Sequence, residues 1–284
     1  MREPNGQSTT PGRGTGGRRG IVLMGHGTKN PDGVAEFLGY AEALRQRTGE
    51  SVTTGVLEYP SDRVPDIQTA FDLAADTGLD EVTALPALLF FAGHAQEDMP
   101  AEVARAQARH PELPISLAGP LGLGEGLLPA VEDRLAPLAP DGGTAVLLVG
   151  RGSSFSEANA DLFKTARMLW ERNRFGWVEA AFVSLAPPSV AAGIERCLRL
   201  GAERVLVAPY FLNTGVLLKR IAQQARSVLP SVQVAEHLGL HPLVIDTLLE
   251  RLSQARAGVC PCQSATGCRI PSLSCSRVEC LLPA

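Results

Sequence analysis

From Gly20 onward the chain alternates short apolar runs with longer stretches whose apolar residues recur at helical spacing. Residues 21–24, 52–57 and 81–85 read as strands, each followed by a helical pattern, over 34–47, 64–77 and 98–109. This βαβαβα rhythm predicts an α/β fold with a parallel sheet, because parallel neighbours need a crossover connection and helices then cover both faces. In such sheets ligands sit beyond the C-terminal ends of the strands, so the residue just after each strand is where chemistry is expected.

The rhythm restarts near Thr144. Ile21-Val-Leu-Met-Gly-His-Gly-Thr superposes on Val146-Leu-Leu-Val-Gly-Arg-Gly-Ser, setting His26 against Arg151, and Glu81-Val-Thr-Ala-Leu-Pro superposes on Arg204-Val-Leu-Val-Ala-Pro. Two similar halves, 19–139 and 140–257, are therefore expected to face each other across a cleft that suits a large planar ligand. Residues 1–18 mix Gly, Pro, Ser, Thr and Arg without hydrophobic period and read as a disordered leader; 258–284 form a Cys-rich tail.

Hydrophobic residues make up 45% of the 284, enough to build buried cores. The 26 basic residues against 30 acidic, with 5% aromatics, argue against a nucleic-acid surface. No apolar run reaches the roughly 20 residues that span a bilayer, and the N-terminus has no secretory apolar core. The chain thus reads as a cytoplasmic protein with neither nucleic-acid nor membrane partner, and as a monomer.

Among side chains that carry chemistry, His26 stands in Gly25-His-Gly-Thr, directly after the first strand. Its flanking glycines permit a tight turn and close approach of a ligand to the backbone. His94 follows the third strand, so strand order puts it on the same sheet edge, where the two converge either as a metal-meeting pair or as loop histidines without a ligand. Glu97 and Asp98 open the next helix, either as caps or as acceptors of a proton. In the second half Arg151, Ser153, Ser154, Asn213, Thr214 and Lys219 supply positive charge and donors suited to carboxylates, or else serve turns and helix ends. His237 and His241 read as loop residues because Gly239 and Pro242 interrupt any helix joining them. His110 reads as a helix-dipole partner, and Cys197 as a buried small residue on a helix.

Three segments, Leu23-Met-Gly-His-Gly-Thr, Ala87-Leu-Leu-Phe-Phe-Ala-Gly-His-Ala-Gln-Glu-Asp and Ala208-Pro-Tyr-Phe-Leu-Asn-Thr-Gly, make residues 20–256 resemble the CbiX-type sirohydrochlorin chelatases of the class II chelatase family. The resemblance implies two flavodoxin-like halves, a cleft site, and insertion without ATP of a divalent metal into sirohydrochlorin by two histidines matching His26 and His94. It implies Co²⁺ for cobalamin synthesis as first choice, Fe²⁺ for sirohaem as the rival, and leaves Ni²⁺ open. The residue types fit that chemistry. Neutral imidazole can hold such a metal loosely or take a pyrrole proton, and a nearby carboxylate such as Glu97 can carry the proton onward.

The tail departs from the family pattern. Its spacing, Cys260-x-Cys262-x5-Cys268-x6-Cys275-x4-Cys280, lacks a C-x-x-C. The thiols of Cys260, Cys262, Cys268 and Cys275 are candidate ligands of an iron–sulfur cluster, with another metal or an ordinary flexible tail as the alternatives. Two further classes compete with the enzyme: a non-catalytic tetrapyrrole or metal carrier, and a phosphate-binding α/β protein. The latter ranks last because the Gly25 turn has neither a Walker lysine nor a G-x-G-x-x-G fingerprint.

Overall fold

The computed structural model describes residues 17–90, 97–122 and 126–259. Each half runs strand, helix, strand, helix, strand, helix, strand, helix. The first comprises β1 (Arg19–Gly25), α1 (Pro31–Thr48), β2 (Ser51–Val56), α2 (Ile67–Asp76), β3 (Glu81–Pro86), α3 (Met99–Arg109), β4 (Ile115–Leu117) and α4 (Leu127–Leu135). The second comprises β5 (Thr144–Gly150), α5 (Ser156–Arg172), β6 (Trp177–Phe182), α6 (Val190–Arg199), β7 (Arg204–Pro209), α7 (Val216–Val228), β8 (Gln233–Val234) and α8 (Pro242–Arg256). The sheets have matching orders, β2-β1-β3-β4 and β6-β5-β7-β8, with every neighbouring pair parallel.

The central strands are apolar throughout because both of their faces are covered, and their side chains alternate between two cores. Ile21 and Leu23 point into one central core together with Val146 and Leu148 of the other sheet. Val22 and Met24 point the opposite way, against α2 and α3, while Leu147 and Val149 pack against α6 and α7. The molecule is thus layered, with the helices of the shared central core, α1, α4, α5 and α8, between the two sheets.

The closing helices are exchanged between the halves. α4 ends the first half in sequence but packs on β7 and α5, whereas α8 returns to β3, β4 and α1. Burying an apolar stripe on a neighbouring sheet stabilises the arrangement through the hydrophobic effect, and here it also ties the two sheets together. Arg251 of α8, 5% exposed, donates from Nε to Pro120 O at 2.9 Å and from Nη2 to Leu121 O at 2.8 Å. The segment it holds in turn donates from Leu121 N to Leu88 O and from Gly122 N to Leu89 O, both at 2.8 Å. Burial weakens the hold of Arg251 on its proton, yet an arginine starts so high that it keeps its charge. Removing the guanidinium would leave two buried carbonyls without these donors. Arg251→Ala is therefore expected to lose about 3 kcal/mol of stability, read as a lower urea midpoint; an unchanged midpoint would show that water replaces the bonds at no cost.

Local chemistry sets the helix starts. Asn30 caps α1 by accepting from Asp32 N at 2.9 Å, with Pro31 at the first helical position. The helical pattern expected over 64–77 begins only at Ile67, because Asp66 is the N-cap and accepts from Thr69 N at 3.0 Å. That bond is the largest cause of the lowered Asp66 carboxyl pKa. Val64 instead pairs with Ser61 in an extended bridge. Among the described residues, no helix is long and apolar enough to cross a membrane.

Candidate active site

The C-terminal strand ends of both sheets open on one cleft of about 830 Å³, within the range of small-molecule sites. From the first half it is lined by His26 after β1, by residues 87–90 after β3, and by Glu97 and Asp98 before α3. From the second half come Arg151 after β5, Ser184 and Leu185 after β6, and residues 210–215 after β7. The sequence-predicted residues His26, Glu97, Arg151, Ser153, Asn213 and Thr214 thus share one cavity.

The His26 and Arg151 loops are built alike. His26 O accepts from Glu58 N at 2.8 Å, and Arg151 O accepts from Ser184 N at 3.1 Å. The next residue in each loop is a glycine in the left-handed region, Gly27 at φ 99° and Gly152 at φ 87°. A Cβ on Gly27 would lie 1.8 Å from Glu58 O, and one on Gly152 2.2 Å from Ser184 O. Each glycine therefore lets the following loop close over the one bearing the chemistry. His26 is half-buried, whereas Arg151 is exposed to the cleft. One half thus presents an imidazole and the other a cation at matching strand ends.

The remaining predicted residues divide. Glu97 and Asp98 are both exposed. Asp98 occupies the N-cap position of α3, but its side chain makes no capping hydrogen bond, so the capping role expected there is not realised. Ser153 Oγ accepts from Phe155 N at 3.0 Å, and Asn159 clasps the Ser153 backbone through bonds of 2.9 and 2.8 Å. Ser153 thus contributes to holding its own turn and keeps its O–H and one lone pair to offer. Asn213 Oδ1 is buried and has no hydrogen-bond partner among the described residues. Ser154 lines the cleft, whereas Lys219 lies exposed on α7 outside the lining, one turn into the helix, which is the alternative of a solvated helix residue.

The other histidines have partners of their own. His110 ends α3, as expected, and also lies with Nε2 2.7 Å from Asp72 Oδ1. His241 caps α8 through Leu243 N, and His237 Nε2 lies 3.0 Å from Glu36 Oε1. Cys197 is fully buried on α6, and burial pushes its thiol up to about 11, so it stays protonated. His94 and the thiols of Cys260, Cys262, Cys268 and Cys275 lie outside the described residues, as do residues 1–16 of the leader. Among the described residues, no three His, Cys, Asp or Glu side chains gather into a metal-holding cluster.

Two features escaped sequence reasoning. Glu58 belongs to a short turn without periodicity, yet its backbone N–H is bonded to His26 O, so this turn holds the loop that carries the imidazole. Its only signal was its place directly after β2, at the same sheet edge. Tyr210 lines the cleft after β7, and its ring centroid lies 5.6 Å from that of Phe90, so a tilted aromatic pair joins the two halves. Burial, reinforced by the Asp161 carboxylate, pushes the Tyr210 phenol well above its usual range and keeps it neutral.

The CbiX family model matches residues 20–138 and 145–255. The sirohydrochlorin cobaltochelatase of Priestia megaterium is 31% identical over 253 residues, covering 84% of this chain and 81% of that protein. The sirohydrochlorin ferrochelatase of Bacillus subtilis is 26% identical over 244 residues, covering 84% and 93%. Among solved structures, the sirohydrochlorin chelatase SirB from Bacillus subtilis subspecies spizizenii in complex with cobalt superposes with a TM-score of 0.70 at 27% identity, covering 84% of this chain and 94% of that one.

Proposed function

The chain belongs to the CbiX family, and from that premise we propose that it inserts a divalent metal into sirohydrochlorin, with His26 meeting the metal. The observation that carries this reading is the meeting of the His26 loop and the Arg151 loop in one cleft large enough for a planar macrocycle. Insertion forms metal–nitrogen bonds and releases the two pyrrole N–H protons, so no oxidant, reductant or nucleotide is needed for balance. His26 serves as loose metal ligand or first proton acceptor, since a neutral imidazole does either. His94, which shortly follows the cleft residue Phe90 in sequence, is its proposed partner, and Glu97 passes the proton toward solvent.

The second half receives the ring. Arg151 offers its guanidinium fork to a peripheral carboxylate, while Asn213, Thr214 and the Ser153 O–H supply weaker polar contacts. Phe90, Leu185 and the neutral Tyr210 give an apolar wall to the ring's face. Cobalt is the favoured metal, in keeping with the 31% identical cobaltochelatase, and the 26% identical ferrochelatase makes iron the second reading. Imidazole accepts either, so the ligand type does not choose between them.

The test is an anaerobic absorbance assay of the purified protein with sirohydrochlorin and, in turn, Co²⁺, Fe²⁺ and Ni²⁺, against a protein-free control. Fastest catalysed insertion of Co²⁺ is expected. Faster turnover with Fe²⁺ would transfer the assignment to iron, and tight ring binding without turnover would make the protein a carrier.

A further inference from the structure

Behind the loop that carries Asn213 and Thr214 stands a carboxylate from the opposite half. Glu36 of α1 accepts from Thr214 N at its Oε2, 2.5 Å away, and its Oε1 lies 3.0 Å from His237 Nε2. Both side chains are largely shielded, 22% exposed for Glu36 and 17% for His237. The contact belongs to a longer seam. Gly33, one turn earlier, has no room for a Cβ, which would sit 2.7 Å from Thr214 O. Tyr40, one turn later, donates from its hydroxyl to Leu212 O at 2.6 Å and lies 3.0 Å from Gly239 O. Residues at these spacings share one helix face, so a single face of α1 holds residues 212–214 by two hydrogen bonds, from Glu36 and Tyr40, and lies against them at Gly33.

We propose that Glu36 is a positioning residue that sets where the Asn213–Thr214 loop stands in the cleft, and thereby how tightly the tetrapyrrole periphery is held. The proposal rests on the reading of the cleft as a tetrapyrrole site. α1 starts at Pro31, directly after the His26 loop, so one rigid element carries the imidazole loop at its N-terminus and governs the opposite wall through Glu36. Of the two bonds, that of Glu36 is the charge-assisted one, and such bonds are about twice as strong as neutral ones. It holds the loop that leads into α7, whose N-cap position, Gly215, supplies no side-chain capping bond to anchor it. His237, from the second half, holds the other carboxylate oxygen and so fixes the rotamer that reaches Thr214.

Glu36→Ala and Glu36→Gln in the full chain test this, because glutamine keeps a carbonyl oxygen for Thr214 N, while its amide N–H donates to His237 Nε2 when that imidazole carries its proton on Nδ1. Kinetics with sirohydrochlorin and Co²⁺, titration of metal-free sirohydrochlorin by absorbance, and amide hydrogen exchange at Thr214 are measured on both variants. For Glu36→Ala we expect KM and ring Kd to rise about tenfold, kcat to change less than about threefold, and Thr214 exchange to accelerate; Glu36→Gln should stay within about threefold of wild type. An unchanged ring Kd in Glu36→Ala would overturn the proposal, and so would a general loss of kcat that glutamine does not rescue. If the wild-type protein neither binds nor metallates the ring, the reading of the cleft fails instead. Exchange at Thr214 then still decides whether Glu36 fixes the loop, acceleration upholding that role and an unchanged rate overturning it.

Discussion

Replacing His26 with alanine is expected to lower the rate of sirohydrochlorin metallation by roughly 10²–10⁴-fold while ring binding changes by no more than a few-fold. The size follows from what one group can contribute when it meets a metal or takes a proton as bonds change. The separation of rate from binding follows from geometry. The His26 backbone is held by the Glu58 amide and followed by Gly27, neither of which depends on the imidazole. Truncation therefore leaves in place the backbone bond and the glycine turn that shape the loop. The polar groups assigned to the tetrapyrrole periphery, Arg151 foremost, lie on the opposite wall and stay in place. Initial rates with Co²⁺ under saturating ring, compared with ring Kd from absorbance titration, measure the two effects separately. Near-normal turnover in the variant would remove His26 from the reaction, and a parallel collapse of ring binding would make it a substrate anchor.

The site was legible to the extent that chemistry sits directly after strongly apolar strands. Gly25-His-Gly-Thr and Gly150-Arg-Gly-Ser each follow an apolar run of the kind that both-faced burial demands, so their equivalence could be read and their loops proved to line one cleft. Residues whose role depends on the other half left no such trace. Glu36 reads in sequence as one more charge on a helix, because nothing local says that its carboxylate meets Thr214 from the second half. The exchange of α4 and α8 was invisible because an apolar stripe states that a helix packs, not on which sheet. β4 and β8, of three and two residues, are too short for a period of two to register. The start of α2 moved because a capping aspartate after a proline outweighs an apolar residue that happens to fall in phase.

The duplicated loops allow the same backbone lesion to be placed on both sides of the cleft. In Gly27→Ala the added methyl would meet Glu58 O at 1.8 Å, and in Gly152→Ala it would meet Ser184 O at 2.2 Å. Neither obstacle is the end of a flexible side chain, and both glycines have φ values that L residues rarely adopt. Each loop must therefore shift, at a cost on the order of 1–3 kcal/mol of stability. The kinetic consequences should nonetheless differ, because one loop carries the imidazole and the other the guanidinium. A displacement of about 1 Å at a reacting group costs about 10²-fold in rate, so Gly27→Ala is expected to lose kcat by about that factor with KM little changed. Displacing Arg151 weakens ground-state and transition-state binding alike, so Gly152→Ala should raise KM about tenfold and spare kcat. Steady-state kinetics on both variants, with denaturant unfolding to equalise for stability, would tell the two apart. If both variants lose kcat alone, Arg151 belongs to the chemistry rather than to ring binding. If both lose only affinity, the division of labour between the two halves is wrong, and His26 has no more claim to the metal than its counterpart.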